Sequence, residues 1–240
     1  MKKPEPRNPI QIVGVALIVV LIATIAFMTI RAGRHSGAKP AASSSAPPAT
    51  ATASGGLRVG SATAPVTVTV YLDFMCPYCG RFDQVNGADL DGLVADGAAK
   101  VELHPLAFLD RLSNGTEYSS RTANAAATVA DRAPDRLLGF TAALYAHQPA
   151  ENSSGLTDAQ IATLATGAGV PSAVAATFTA DRFAGWVSAA TDRAVAAGIN
   201  STPTVLVNGT KVTTNLLAAG SLRAAVAAAA PQPASSAGSK

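Results

Sequence analysis

Cysteine is nearly absent from this chain: there are two in 240 residues. A pair three residues apart closes too small a loop to constrain the unfolded chain, so a stapled disulfide scaffold is excluded. Aromatic residues are scarce too, at 5%, while 48% of the chain is hydrophobic and alanine recurs throughout. A core made of Ala, Val and Leu favours closely packed helices. Charge is sparse and scattered: Lys and Arg total 18, with a formal net charge of +3. Nucleic-acid binders gather basic groups into one patch or stripe, and no such patch is present here.

One long apolar run stands out. Ile10 to Ile30 carries no charge, and at about 1.5 Å per residue it reaches about 31 Å, the thickness of a bilayer's hydrocarbon core. It is longer than the apolar part of a cleaved signal peptide, and Thr29-Ile30-Arg31-Ala32-Gly33-Arg34 offers no small-residue cleavage site. The segment therefore reads as a retained single-pass anchor. Lys2, Lys3 and Arg7 before it balance Arg31, Arg34 and Lys39 after it, so charge leaves its orientation open. The two cysteines lie beyond this run, and a cysteine pair three residues apart that cycles through a disulfide belongs on the oxidising side, which puts residues 1–9 in the cytoplasm and the bulk of the chain outside.

A Ser/Ala/Pro/Gly tract ending at Gly56 follows, and residues 31–56 read as a flexible linker. Residues 231–240 read as a disordered tail. The folded unit is then 57–230. It opens with a β-branched strand, Val66 to Phe74, and an amphipathic helix that Asn86-Gly87 would kink. A second strand, Lys100 to Leu109, completes a β-α-β unit. From about 114 to 199 there is no convincing strand, only four or five Ala-rich helices, one of them opened by the capping box Thr157-Asp158-Ala159-Gln160. A hairpin over Thr204–Val212 with its turn at Asn208-Gly209, then a helix from Thr213 to Ala230, close the unit.

The two cysteines lie at the junction of first strand and helix, as Cys76-Pro77-Tyr78-Cys79. A structural zinc site needs about four ligands, and His104 and His147 lack the spacing to complete one. Haem attachment needs His after the second cysteine, where Gly80 stands. No metal ligand set and no cofactor is therefore expected, although soft thiolate binding of Cu(I) stays open. The redox reading has a mechanism. A helix start offers unpaired N–H groups and a positive dipole end, which favour a thiolate at Cys76. Pro77 suits the first helical turn. Cys79, one turn on, faces inward as the resolving thiol. Asp73 either serves proton transfer at the pair or ends its strand as a solvated cap. His104 and Trp186 read as packed core residues.

The segment VTVTVYLDFMCPYCGRF resembles the thioredoxin superfamily, in particular the bacterial DsbA type of thiol–disulfide oxidoreductase. Ser201-Thr202-Pro203-Thr204 looks like that family's cis-proline loop. The resemblance implies an α/β thioredoxin-like fold (β-α-β, helical insertion, β-β-α). It also implies Cys76 as exposed nucleophile, Cys79 as resolving thiol, Pro77 and Tyr78 as the active-site dipeptide, and Thr202 with a cis Pro203 as the client-binding loop. Clients would be protein thiols and disulfides, and a membrane partner would reoxidise the pair. The position six residues before the first cysteine, an acid in many thioredoxins, holds Val70. The Pro-Tyr dipeptide also occurs in glutaredoxins, so an oxidase, a tethered reductase and a copper-binding or docking module all remain in play.

Overall fold

Valine and threonine alternate through Val66–Leu72, and the computed structural model, which describes residues 46–231, shows why. The strand (β2) buries Val66, Val68, Val70 and Leu72 and leaves Thr67, Thr69 and Tyr71 half-covered. It lies at the centre of a five-stranded mixed sheet. β3 (Ala99–Pro105) pairs parallel to β2 on one side, and β1 (Leu57–Val59) pairs antiparallel to β3 at that edge. On the other side β4 (Thr204–Val207) runs antiparallel to β2 and is followed by β5 (Thr210–Lys211). Asn208 and Gly209 both have positive φ, 48° and 79°, as a tight hairpin turn requires. Asn208 also pairs with β2: its N–H donates to the Thr67 carbonyl and its side-chain oxygen accepts the Thr67 N–H.

Helix α1 (Pro77–Ala95) crosses from β2 to β3, and α7 (Ser221–Ala229) packs near it. Between β3 and β4 come α2 (Tyr118–Arg132), α3 (Leu137–Ala146), α4 (Asp158–Gly167), α5 (Ser172–Ala175) and α6 (Ala184–Ala196). α2 is the hub of this insertion. Ala123, Ala125, Ala126, Ala127 and Ala130 are all buried, so the helix is covered on nearly every side. Only small side chains let neighbouring helices approach it from so many directions. The Thr157–Gln160 capping box opens α4.

Several expectations need correction. β1 was not anticipated; three residues are too few for a periodic signal. β3 ends at Pro105, not Leu109, because its partner β2 ends at Leu72, whose carbonyl takes the last bond between the two from Leu106 N–H. α1 is unbroken at Asn86-Gly87: Asn86 is buried and its amide donates to the Phe82 and Leu216 carbonyls. The last helix starts at Ser221 rather than Thr213, after Gly220 at φ 76°. Residues 46–56 are also not free linker. Pro48 is buried, Ala51 bridges to Leu57, and the Thr50 hydroxyl donates to the Ala130 carbonyl. Thr52 and Ser54 donate to the Glu102 carboxylate. Hydrogen bonds dock this arm together with the buried Pro48 and with Ala51 packed against the core. Among the described residues no helix is long and apolar enough to cross a membrane. The Ile10–Ile30 run and the tail from 232 lie outside the described residues.

Candidate active site

β2 delivers the chain at Leu72 to a tight turn, Asp73-Phe74-Met75, whose backbone is bonded from Cys76 N–H to the Asp73 carbonyl at 3.0 Å. Cys76 is the N-cap of α1 with extended backbone, and Pro77 takes the first helical position. The Cys76 carbonyl receives the N–H of Cys79 at 3.0 Å and of Gly80 at 3.2 Å, so the first turn is fully formed. Both cysteines are free thiols.

The two sulfurs lie in unlike surroundings. Cys79 is 1% exposed, and burial pushes its thiol well above the ordinary range, with the Cys76 sulfur adding to the rise. Cys76 is itself only 6% exposed, less open than its expected role suggests, but it forms part of the wall of a groove of about 600 Å³. Its thiol is lowered to about 6: the Cys79 thiol donates to it, burial opposes the fall, and the Thr202 side chain and the Cys79 and Tyr78 N–H groups add to it. In its protonated form Cys76 donates to the Thr202 carbonyl at 3.3 Å. That contact favours the thiol, and the donors around the sulfur outweigh it.

The Thr202–Pro203 bond is cis. Ser201 and Thr202 line the same groove as Cys76, facing Phe108, Arg111 and Glu151. Tyr78, next to the thiol, is 60% exposed, with the Arg81 guanidinium 5.5 Å from its ring centre. Thr202, from far along the chain, is thus brought to the Cys76 sulfur, with cis Pro203 next to it in sequence and Pro77 and Tyr78 following the cysteine directly. Neither histidine among the described residues, His104 or His147, joins them. The His104 ring packs 4.3 Å from Tyr71, and His147 is bonded to the Ala143 carbonyl.

Asp73 is no solvated cap. It is fully buried, and its carboxylate accepts from Met75 N–H at 2.8 Å, the Ser119 hydroxyl at 2.7 Å and Leu109 N–H at 3.0 Å. Burial nevertheless pushes it up to about 6, with the Cys76 charge contributing. A carboxyl titrating there can give or take a proton beside the dithiol at neutral pH. The insertion supplies two more groups that local sequence reasoning missed. Tyr145 donates its hydroxyl to the Asp73 carbonyl at 3.3 Å, and the Gln148 amide donates to the Phe74 and Cys76 carbonyls at 3.0 and 2.9 Å. Neither has a local signature; Gly80 beside Cys79 was the one hint of a close approach.

Residues 52–227 match the family model described as thioredoxin. The chain belongs to the thioredoxin family. Solved structures similar to it include disulfide oxidoreductases. The reduced disulfide oxidoreductase DsbG of Mycobacterium tuberculosis is 32% identical with TM-score 0.62, covering 71% of this chain and 85% of that one. Reduced DsbA of the same organism is also 32% identical, with TM-score 0.59 and coverage of 67% and 85%. The thiol-disulfide oxidoreductase MdbA of Actinomyces oris is 27% identical with TM-score 0.65, covering 78% and 91%. This thioredoxin-family chain is therefore DsbA-like, similar over most of its folded length to those thiol–disulfide oxidoreductases. Half of it also matches the serine/threonine-protein kinase PknE of Mycobacterium tuberculosis, at 39% identity over 124 residues. That match spans only 22% of the kinase, so the chain covers about a fifth of the curated relatives it resembles.

Proposed function

We propose that the chain oxidises dithiols of translocated proteins outside the cytoplasmic membrane, using Cys76 and Cys79 as its redox couple. The observation that carries this reading is the split between the two thiols, one lowered to about 6 and the other pushed well above its usual range. In the oxidised enzyme a client thiolate attacks Cys76 Sγ. The Cys76–Cys79 bond breaks, and Cys79 leaves with the electron pair and takes up a proton. A second client thiolate then attacks the client sulfur of the mixed disulfide and releases Cys76 as a stable thiolate. The client loses two electrons and becomes a disulfide; the enzyme gains them as a dithiol. A stabilised Cys76 thiolate favours the reduced enzyme and hence makes its disulfide more oxidising.

Pro77 and Tyr78 fix the spacing and outer face of the couple. Thr202, ahead of Pro203, offers backbone groups to an extended client segment in the groove, in the manner of strand addition. An electron acceptor in the membrane would restore the disulfide, and the Ile10–Ile30 run would hold the domain beside it. No resident cofactor or metal is assigned.

The test is the equilibrium potential of the Cys76–Cys79 couple against glutathione. A value above the glutathione range, nearer the about −120 mV of a strong oxidant, supports the oxidase. A value near about −270 mV, as in thioredoxin, would make the protein a reductase instead.

A further inference from the structure

Two carbonyl oxygens flank the turn that presents Cys76, those of Phe74 and of Cys76 itself, and one side-chain nitrogen caps both. That nitrogen is Nε2 of Gln148, at 3.0 and 2.9 Å. It comes from the segment just after α3, outside the β-α-β core that carries the cysteines. Gln148 N–H is bonded back to the Tyr145 carbonyl, which fixes where its side chain starts. On the other side of the contact stands Gly80. A Cβ at that position would meet Gln148 Oε1 at 2.5 Å and Cδ at 3.2 Å. The glycine one residue after Cys79 is thus the space into which the glutamine amide fits.

We infer that Gln148 is a positioning residue which, from the helical insertion, sets the acidity of Cys76. The physical argument is electrostatic. A carbonyl oxygen carries partial negative charge, and two of them on the Cys76 turn oppose a thiolate on the same residue. An amide N–H pair directed at both offsets that charge and holds the turn in the geometry that aims the Cys79 and Tyr78 N–H groups at the sulfur. Without it the Cys76 carbonyl keeps only the Cys79 and Gly80 donors, and the turn loses its link to the insertion. The thiol then becomes less acidic and the disulfide less oxidising. This rests on the role of Cys76 proposed above.

The pair Gln148–Gly80 supplies the test. In the full chain, Gln148→Met keeps the length of the side chain and removes the donor. Gly80→Ala keeps the glutamine but pushes its amide aside, and alanine is the better helix former, so a loss of folding does not account for its effect. The readout is the pH titration of the Cys76 thiolate by its ultraviolet absorbance, alongside the equilibrium constant with glutathione. Each single variant should raise the titration midpoint by about half a unit, with the glutathione equilibrium moving about threefold toward the enzyme disulfide. The double variant should shift no further than the larger single, because both remove one contact. An unchanged midpoint in Gly80→Ala, or a double-variant shift equal to the sum of the singles, overturns the inference. Gly80→Ala decides the matter alone if Gln148→Met does not fold. A wild-type midpoint near 9 would instead sink the reading of Cys76 itself, which separates the two failures.

Discussion

The Ser119 hydroxyl donates to the Asp73 carboxylate at 2.7 Å, so the first turn of α2 is bonded to the residue that opens the active-site turn. Helical insertion and thioredoxin core meet at this point, beneath the dithiol. Replacing Ser119 with alanine removes one of three donors to a buried carboxylate and should cost about 1–3 kcal/mol. It should also raise the Asp73 midpoint further. Urea unfolding of Ser119→Ala against wild type checks the first, and the pH dependence described next checks the second.

Asp73 itself predicts a pH slope. Its carboxyl is raised from 3.8 to about 6 in the folded chain, so between those values the native state holds a proton that the unfolded state has lost. Stability should therefore fall as pH rises from about 4 to 6, and the loss should be complete above 6. Asp73→Asn removes this contribution. The urea midpoint of the variant should decline less than that of wild type over the same range, and parallel curves would refute the assignment.

The cysteines should titrate apart. In the reduced protein Cys76 should be alkylated with a midpoint near pH 6 and Cys79 far more slowly. Because the folded Cys76 thiol is lowered from 9.0, it stabilises the reduced protein fully above about pH 9, and that gain is lost as pH falls through about 6. Cys79→Ser should accumulate mixed disulfides with clients, and Cys76→Ser should accumulate few. Equal alkylation rates would remove the proposed roles.

The arm over residues 46–56 should matter to stability. Compared with a chain that starts at residue 46, one that starts at residue 57 should be less stable by about 1–3 kcal/mol. The shorter chain lacks the Thr50–Ala130, Thr52–Glu102 and Ser54–Glu102 bonds. Thermal or urea unfolding of the two truncations decides it.

Topology is tested in cells. With Ile10–Ile30 as anchor, protease added after the outer envelope is opened should release the folded domain. A domain protected until the cytoplasmic membrane is lysed would place it on the other side.

Much of this architecture was legible because its signals are local. Alternating valines marked β2, Asn208-Gly209 marked the hairpin, and Cys76-Pro77-Tyr78-Cys79 stood where a strand gives way to a helix. What escaped was long-range. Gln148 and Tyr145 act on a turn some seventy residues earlier, and nothing in their neighbourhood marks them. Asp73 could be read as buried or solvated because its three donors come from Met75, Leu109 and Ser119, two of them far along the chain. The arm before Leu57 looked structureless because its tethers are hydroxyls and backbone groups, which composition counts as polar and free.

The alanines of α2 bear on how this chain can vary. A run such as Ala125-Ala126-Ala127 resembles filler, the kind of stretch in which most replacements go unnoticed. In a helix enclosed by its neighbours each methyl marks the closest approach of another element, and a larger side chain would have to push one of them away. The plainest letters of the sequence are thus among the least exchangeable, and variants of this protein should carry their diversity on the outer faces of α4 and α6 long before it reaches the centre of α2.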